Sequence, residues 1–457
     1  MRILVLNGSP SGENSVTLQT VLYIQKHFPQ HDYEVLPVGQ RIRALEQDPS
    51  AWRGSLERAE LIMFCYPVYT FLVPAQLHRF IEMMKESGLD LRGRFATQIS
   101  TSKHFYDTTA HRFIEDCCED MGLKVIRGLS ADMEDLLHPQ GQREALDFFR
   151  YVLWNVGRGE GEPVAARAPA LSPAQTHPEA EPLSTAAPGR VVIVADTGNS
   201  AEGRLQAMCE RLRRRLPCEC RVLDLQDFDF AGGCLGCFRC AADGTCVYRD
   251  GFDRWLREEV QSADALVYAF TVRDHSMGSR FKLFDDRQFC NGHRTVTMGK
   301  PVGYLVDGPL DGETNLRQLI EARAQVGGNA LAGIATNQRD PDAEIDRLAA
   351  ALCYAATEGW QPPRNFYGVG GMKIFRDLIW QMQGLMREDH RFYRRHGFYD
   401  FPQKHRAKML AMYLAGGMMR SPRLRRKIGG RMTEGMILPY RWVVEKAAPS
   451  GEEGKPA

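Results

Sequence analysis

The sequence predicts an α/β fold: two doubly wound, five-stranded parallel sheets in tandem, followed by a helical extension. Three observations carry that expectation. Short continuous apolar runs alternate with helical periodicity, the pattern of buried parallel strands and their crossovers. The alternation stops at a stretch rich in Ala, Pro, Glu and Ser and then begins again. Each series also opens on a strand that runs into a Gly/Ser/Asn turn before its first helix.

In the first series, strands are expected at 2–6, 33–37, 61–65, 95–100 and 124–126, with helices at 16–27, 75–85, 109–121 and 142–156. From about 157 to 188 no apolar period survives, and such a stretch buries too little surface to offset its ordering entropy, so a disordered linker is expected there. The second series places strands at 190–195, 220–225, 265–270, 302–306 and 330–334, with its first helix at 204–215. After 357 the strand signals end, and 372–386 and 404–418 read as helices. The expected division is therefore a first α/β domain over 1–156, a linker over 157–188, a second α/β domain over 189–357 and a helical basic extension over 358–457.

A chain of 457 residues is long enough for two or three domains. A formal net charge of +1 gives no whole-chain attraction to nucleic acid. No run of about eighteen apolar residues predicts a membrane span, and the opening MRILVLNGSP reads as a first strand and not as a leader. A cytoplasmic protein is expected. Twelve cysteines without a secretory signal argue against a disulfide scaffold. Eight of them are scattered in apolar contexts and read as small buried hydrophobes; the other four crowd between Cys234 and Cys246.

The turn after the first strand runs from Asn7 through Gly8, Ser9, Ser11, Asn14, Ser15 and Val16 to Thr17. At the carboxyl end of a parallel strand, a helix N-terminus offers free N–H groups and a partial positive charge to a phosphate. The hydroxyls of Ser9, Ser11, Ser15 and Thr17 add donors. This is neither a Walker loop nor a GxGxxG fingerprint. A second loop, Pro67–Val68–Tyr69–Thr70–Phe71, follows the third strand, and a third, with Thr101, Ser102, Lys103 and Phe105, follows the fourth. Aromatic and apolar groups with backbone polar atoms suit a flat amphipathic ring. In the second series the matching turn is Thr197–Gly198–Asn199–Ser200.

These loops resemble the NADPH-dependent FMN reductase branch of the flavodoxin-like superfamily, whose phosphate loop reads G-S-P-x-x-x-x-S-x-T and whose P-x-Y segment lines the flavin ring. The resemblance implies FMN held by Ser9, Ser11, Asn14, Ser15, Val16 and Thr17 at its phosphate, and by Pro67 to Phe71, Thr101 and Ser102 at its ring, with NAD(P)H as donor. Thr197 to Ser200 resembles the T-G-N-T loop of flavodoxins and implies a second FMN seat, although the segment 270–275 lacks P-x-Y. The stretch 281–287 resembles the family's K-x-x-x-D-R helix end.

Cys234, Cys237, Cys240 and Cys246 form C-x2-C-x2-C-x5-C just after the second strand of the second series. The spacing resembles the compact motif of iron–sulfur flavoproteins and implies a [4Fe–4S] cluster. Two other readings stay open: a loop that keeps its thiols without a cluster, as a redox-active pair, and a structural zinc, which more often uses two separated C-x2-C knuckles. No hydrolase or metalloprotease motif is present. His104, His111, His138, His275 and His293 are candidates for proton delivery. The expected function is an NAD(P)H-dependent FMN oxidoreductase reducing a quinone, a flavin or another small acceptor, or passing electrons through the cluster to a ferredoxin-like partner, in a homo-oligomer. A non-enzymatic flavodoxin-like electron carrier and a thiol-based redox sensor are the alternatives. The basic stretch 420–431 reads as a solvated face or as a docking surface.

Overall fold

The computed structural model describes residues 1–104, 106–162, 173–186, 189–404, 406–419 and 421–423. Phe105, parts of the expected linker and most of the basic stretch 420–431 lie outside them. Two compact units divide the chain, Met1–His396 and Gly397–Ala457. The first contains both sheets.

The first sheet is built from β1 (Arg2–Asn7), β2 (Asp32–Leu36), β3 (Leu61–Pro67), β4 (Phe95–Ser102), β5 (Lys124–Val125) and β6 (Leu129–Asp132). All pair in parallel in the order β2-β1-β3-β4-β5, with β6 continuing along β4 beyond β5. The fifth strand expected at 124–126 is β5, and β6 is an additional short strand that the sequence did not announce. Gly128 stands between the two, where a Cβ would lie 2.7 Å from the Gln98 carbonyl oxygen. The helices are α1 (Val16–His27), α2 (Val38–Gln47), α3 (Ser50–Arg58), α4 (Ala75–Glu86), α5 (Asp107–Asp120) and α6 (Pro139–Arg158). The sequence reading had omitted α2 and α3, whose many charges obscure the apolar period.

The second sheet repeats the plan with β7 (Arg190–Asp196), β8 (Glu219–Asp224), β9 (Ala265–Thr271), β10 (Pro301–Asp307) and β11 (Ala330–Thr336), ordered β11-β10-β9-β7-β8. Read from its edge, this is the same 2-1-3-4-5 winding as the first sheet, with the reversal of strand order between its first and third strands. Around it lie α7 (Arg204–Arg215), α8 (Arg239–Asp243), α9 (Phe252–Trp255), α10 (Ser279–Arg287), α11 (Thr314–Gly327) and α12 (Pro341–Thr357). Two further helices, α13 (Phe366–Gln381) and α14 (Arg387–Arg395), complete this unit. The Asn365 side chain starts α13 by accepting from the N–H groups of Tyr367 and Gly368, six residues ahead of the start read from the sequence.

Strands such as β1, β3 and β10 are buried almost throughout, as layers covered on both faces require. One face of each sheet has its own core: α1 and α6 cover the first, α7 and α12 the second. The opposite faces share a single core containing Phe64, Phe80 and Phe113 from the first half and Phe252, Phe270 and Phe284 from the second. The two halves therefore meet through α4 against α10 and α5 against α11. Residues 173–186 of the inter-sheet segment are anchored on the second half. The Ala174 N–H donates to the Asn337 carbonyl at 2.6 Å, and His177 pairs with Asp342 at 2.8 Å.

In the second unit, α15 (Arg406–Met419) follows Gly397. Among the described residues, no helix is long and apolar enough to cross a membrane.

Candidate functional site

A cavity of about 820 Å³ opens at the carboxyl ends of the first sheet's strands, with walls from both halves. Its floor is the turn between β1 and α1. The buried Asn7 side chain shapes that turn, donating to the Gly12 carbonyl at 3.0 Å and accepting from the Ser9 N–H at 3.2 Å. Gly12 takes a φ of +57°, which favours glycine. Gly39 at the start of α2 lets the turn pass close behind it; a Cβ there would sit 2.3 Å from the Ser9 carbonyl carbon. Ser15 caps α1 by accepting from the Leu18 N–H. The first-turn N–H groups of such a helix lack intrahelical acceptors, so this end of the cavity suits a phosphate. Ser9, Ser11, Asn14, Ser15, Val16 and Thr17 all line it.

The second loop forms a tight turn. Tyr69 and Leu72 exchange backbone hydrogen bonds of 2.8 and 2.9 Å around Thr70 and Phe71, whose φ angles are +43° and +65°. Left-handed conformations are costly for side chains of this kind and persist only when the surroundings impose them. Here the second half imposes them. The fully buried Lys282 ammonium on α10 donates to the Tyr69 carbonyl at 2.8 Å and to the Thr70 hydroxyl at 2.5 Å. Its partner Asp286 accepts from the Thr70 hydroxyl at 2.7 Å. The third loop is tied to the floor by the Thr17 and Thr101 hydroxyls, 2.6 Å apart. Pro67, Val68, Tyr69, Thr70, Phe71, Thr101, Ser102 and Lys103 thus share the cavity with the phosphate turn.

The cysteine loop forms the facing wall, with Cys234, Cys237, Cys240 and Cys246 all bordering the cavity. It lies close against the second loop: at Gly236, φ +62°, a Cβ would fall 2.1 Å from the Tyr69 hydroxyl. Arg287, the last residue of α10, holds the base of this wall. Its buried guanidinium bonds both Asp250 oxygens at 2.7 and 2.8 Å and donates to the Gly232 carbonyl at 2.8 Å. It also stacks over Tyr248, 4.5 Å from the ring centre. Burial raises the Cys234 thiol, and burial first, then nearby negative charge, brings Cys240 up to about 11. Among the described residues, no three His, Cys, Asp or Glu side chains come together closely enough to hold a metal ion. In donor chemistry, four soft thiols on one wall suit an iron–sulfur cluster or zinc.

Deeper in the second half the cavity is bordered by Phe281, Tyr304, Leu319 and Val326, and by Phe375 and Leu378 of α13. One ion pair interrupts this apolar surface: Arg323 bonds Asp285, and Arg323 lies over the Phe71 ring at 5.7 Å from its centre. The Asp285 Oδ2 is buried and has no hydrogen-bond partner among the described residues. The stretch 281–287 stood out in the sequence, but not Asp285 within it as a site residue, because it falls on an unspecified position of the motif. Arg323 did not stand out at all, because an isolated Arg on a helix carries no motif.

Thr197, Gly198, Asn199 and Ser200 do not border this cavity. Their turn is engaged by the second sheet's own acids. Thr197 donates its hydroxyl to Asp224. Asp307, fully buried, accepts from Ser200 at 3.2 Å, Arg204 at 3.0 Å, Thr271 at 3.1 Å and Asn337 at 2.7 Å. Carboxylates therefore stand at strand ends of the second half where the first half has Asn7, Leu36 and Ser102.

Of the five histidines considered for proton delivery, His293 borders the cavity, with Nδ1 3.0 Å from Asp389. His111 is bonded to the Ser100 hydroxyl at 2.7 Å, and burial lowers it to about 4, so it is neutral near pH 7. His275 sits between Asp120 and Glu313 at 2.7 and 2.9 Å. His104 lies beside Asp135 at 3.7 Å, and His138 precedes α6.

A stretch of 73 residues, 16% of this chain, is 38% identical to an iron–sulfur flavoprotein of Archaeoglobus fulgidus and spans 33% of that relative's length. Among solved structures, an NAD(P)H:quinone oxidoreductase from Methanothermobacter marburgensis aligns at 14% identity and a TM-score of 0.28, over 36% of this chain and 99% of its own. An FMN-dependent NADH-azoreductase from Bacillus anthracis aligns at 11% and 0.26, over 35% and 100%. The family model described as NADPH-dependent FMN reductase matches residues 1–117 and again 190–334, one segment on each sheet and together more than half of the chain. The chain belongs to the NADPH-dependent FMN reductase family.

Proposed function

We propose that the protein is an NAD(P)H-dependent FMN oxidoreductase that holds one FMN on its first half and passes electrons to a small acceptor or to a [4Fe–4S] cluster on its cysteine loop. The observation that carries this reading is the meeting, in one cavity, of the phosphate turn, the tight turn at Tyr69–Leu72 and the cysteine wall. FMN, when bound, supplies acceptance of hydride from a nicotinamide and release of electrons singly or in pairs.

The chain's own residues do the rest. The N-terminus of α1, with Ser9, Ser11, Asn14, Ser15 and Thr17, would take the phosphate. The Tyr69–Leu72 turn, with Pro67, Thr101 and Ser102, would border the ring, and Lys282 holds that turn in shape. Arg323 can donate to an acceptor's carbonyl oxygen, while the open oxygen of Asp285 can accept from a hydroxyl. The apolar surface around that pair favours a flat, weakly polar acceptor such as a quinone. Cys234, Cys237, Cys240 and Cys246 would ligate the cluster. The acids around Thr197 to Ser200 disfavour a second phosphate, which supports one FMN per chain.

Anaerobic purification followed by an absorption spectrum and by FMN and iron quantitation tests this reading. One FMN per chain, iron bound at the cysteine loop, and steady NAD(P)H oxidation with a quinone are expected. A chain that stays colourless after incubation with FMN, or that binds FMN yet does not oxidise NAD(P)H, would overturn the enzymatic assignment.

A further inference from the structure

The segment from Phe401 to Thr433 has a composition found nowhere else in the chain. It carries Lys404, Arg406, Lys408, Arg420, Arg423, Arg425, Arg426, Lys427 and Arg431, and no Asp or Glu. The whole protein has a formal net charge of only +1, so positive charge is concentrated here against a remainder that is net acidic. Within it, α15 exposes Met409, Leu410, Met412, Tyr413, Leu414 and Met418, each between 49% and 77% accessible. From Met409 to Met419 no residue is charged. At 100° per residue, the six exposed apolar side chains spread over well more than half of the helix circumference.

A soluble partner's groove would need one apolar stripe with a polar back. A helix with cations only in its first turn and an uncharged remainder that is apolar on most sides, in a segment whose sequence adds further cations after it, meets a different requirement. Its 14 residues rise about 21 Å, short of the roughly 30 Å hydrocarbon layer. Such a helix can embed in the interfacial layer, with flanking Lys and Arg reaching lipid phosphates. A second copy of the same face is a poor occupant, because nine cations would meet nine cations.

We propose that α15 docks this protein on an anionic lipid surface, with its apolar residues in the interfacial layer and with the attraction to the headgroups supplied by the Lys- and Arg-rich composition of the segment that contains it. The docking is independent of the flavin site. Full-length protein, spun with phosphatidylcholine vesicles that contain or lack phosphatidylserine, tests it. Co-sedimentation only with phosphatidylserine present, weakened by added salt, is expected. Leu410→Glu/Leu414→Glu and, separately, Arg423→Glu/Arg425→Glu/Arg426→Glu should each raise the lipid concentration for half-binding by about tenfold or more. Thermal midpoint and FMN content should not change, which separates lost docking from lost folding. Absence of co-sedimentation, or variants that bind as the parent does, would overturn the proposal. So would a concentration-dependent dimer, abolished by Leu410→Glu/Leu414→Glu, in a protein that ignores vesicles.

Discussion

The Asp286 carboxylate accepts a hydrogen bond from the backbone N–H of Ala75, 2.8 Å away, so that a side chain near the end of α10 caps the first residue of α4 in the other half. The relationship is reciprocal. Glu82, seven residues into α4 from Ala75, accepts from the N–H of Ser279 at 2.7 Å and from its hydroxyl at 2.6 Å, and Ser279 lies seven residues before Asp286. Each helix thus neutralises the N-terminal dipole of the other. The turns that precede them match as well: Arg273 and Ser276 exchange backbone bonds of 2.9 and 3.0 Å around Asp274 and His275, both at positive φ, as Tyr69 and Leu72 do. The two halves are related as subunits of a symmetric dimer would be.

Asp286→Ala leaves the Lys282 ammonium buried without its counter-charge, uncaps α4 and removes the acceptor of the Thr70 hydroxyl. A loss of about 3–5 kcal/mol is expected, against about 1 kcal/mol for a cap alone. Urea unfolding measures it. Asp286→Asn, which keeps an acceptor but not the charge, should fall between the parent and Asp286→Ala. A loss for Asp286→Ala no larger than that of a cap would show that the ion pair is not what holds the Tyr69–Leu72 turn.

Thr17→Val removes the bond to Thr101 and a donor beside the phosphate turn. FMN affinity should fall about 5- to 100-fold, the equivalent of roughly 1–3 kcal/mol. Thr197→Val and Ser200→Ala should leave FMN content and affinity unchanged. Flavin fluorescence quenching reads both, and a ratio of two FMN per chain would contradict the unequal use of the two turns.

Arg287→Lys retains the charge but cannot bond Asp250 at two points or stack on Tyr248 in the same plane. The cysteine wall should loosen while the phosphate turn, across the cavity, is untouched. Iron content should drop and FMN content should not, and Cys240→Ser should give the same separation. Equal loss of iron and FMN in Arg287→Lys would mean that the wall and the flavin seat are not independently supported.

His275 is pushed up to about 9 from its ordinary 6.5: burial opposes the charge, but the hydrogen bonds to Asp120 and Glu313 outweigh it. Nearby, Lys85 pairs with Asp120 and with Asp274, and Arg273 pairs with Asp274. Because the folded value is the higher, the stability it contributes is fully present below about pH 6.5 and disappears as pH rises through about 9. Unfolding free energy should therefore decline across that interval, and His275→Gln should flatten the decline. An unchanged slope in the variant would assign the dependence to another group.

The strands were legible because parallel strands buried on both faces are written as continuous apolar runs, and 61–65 or 302–306 admits little else. The loops of the first half were legible because small and hydroxylic residues follow such runs directly. The partnership between Thr70 and Lys282 was not, since it spans 212 residues and depends on helix faces that meet only after both sheets have formed. One signal was available and unused. In the second sheet β7, β8 and β10 end on Asp196, Asp224 and Asp307, whereas β1, β2 and β4 end on Asn7, Leu36 and Ser102. Acids at three of the five strand ends along one sheet edge repel an anion before any coordinates are known.

Because α4 and α10 are encoded in a single chain, dilution cannot separate the walls they support, as it can in a cavity formed between two molecules. A substitution also alters one wall at a time, whereas in a homodimer it would appear in both. On the one-FMN reading proposed above, a single chain leaves the second half free to place a buried acid, Asp307, at the end of its fourth strand, where the first half has Ser102.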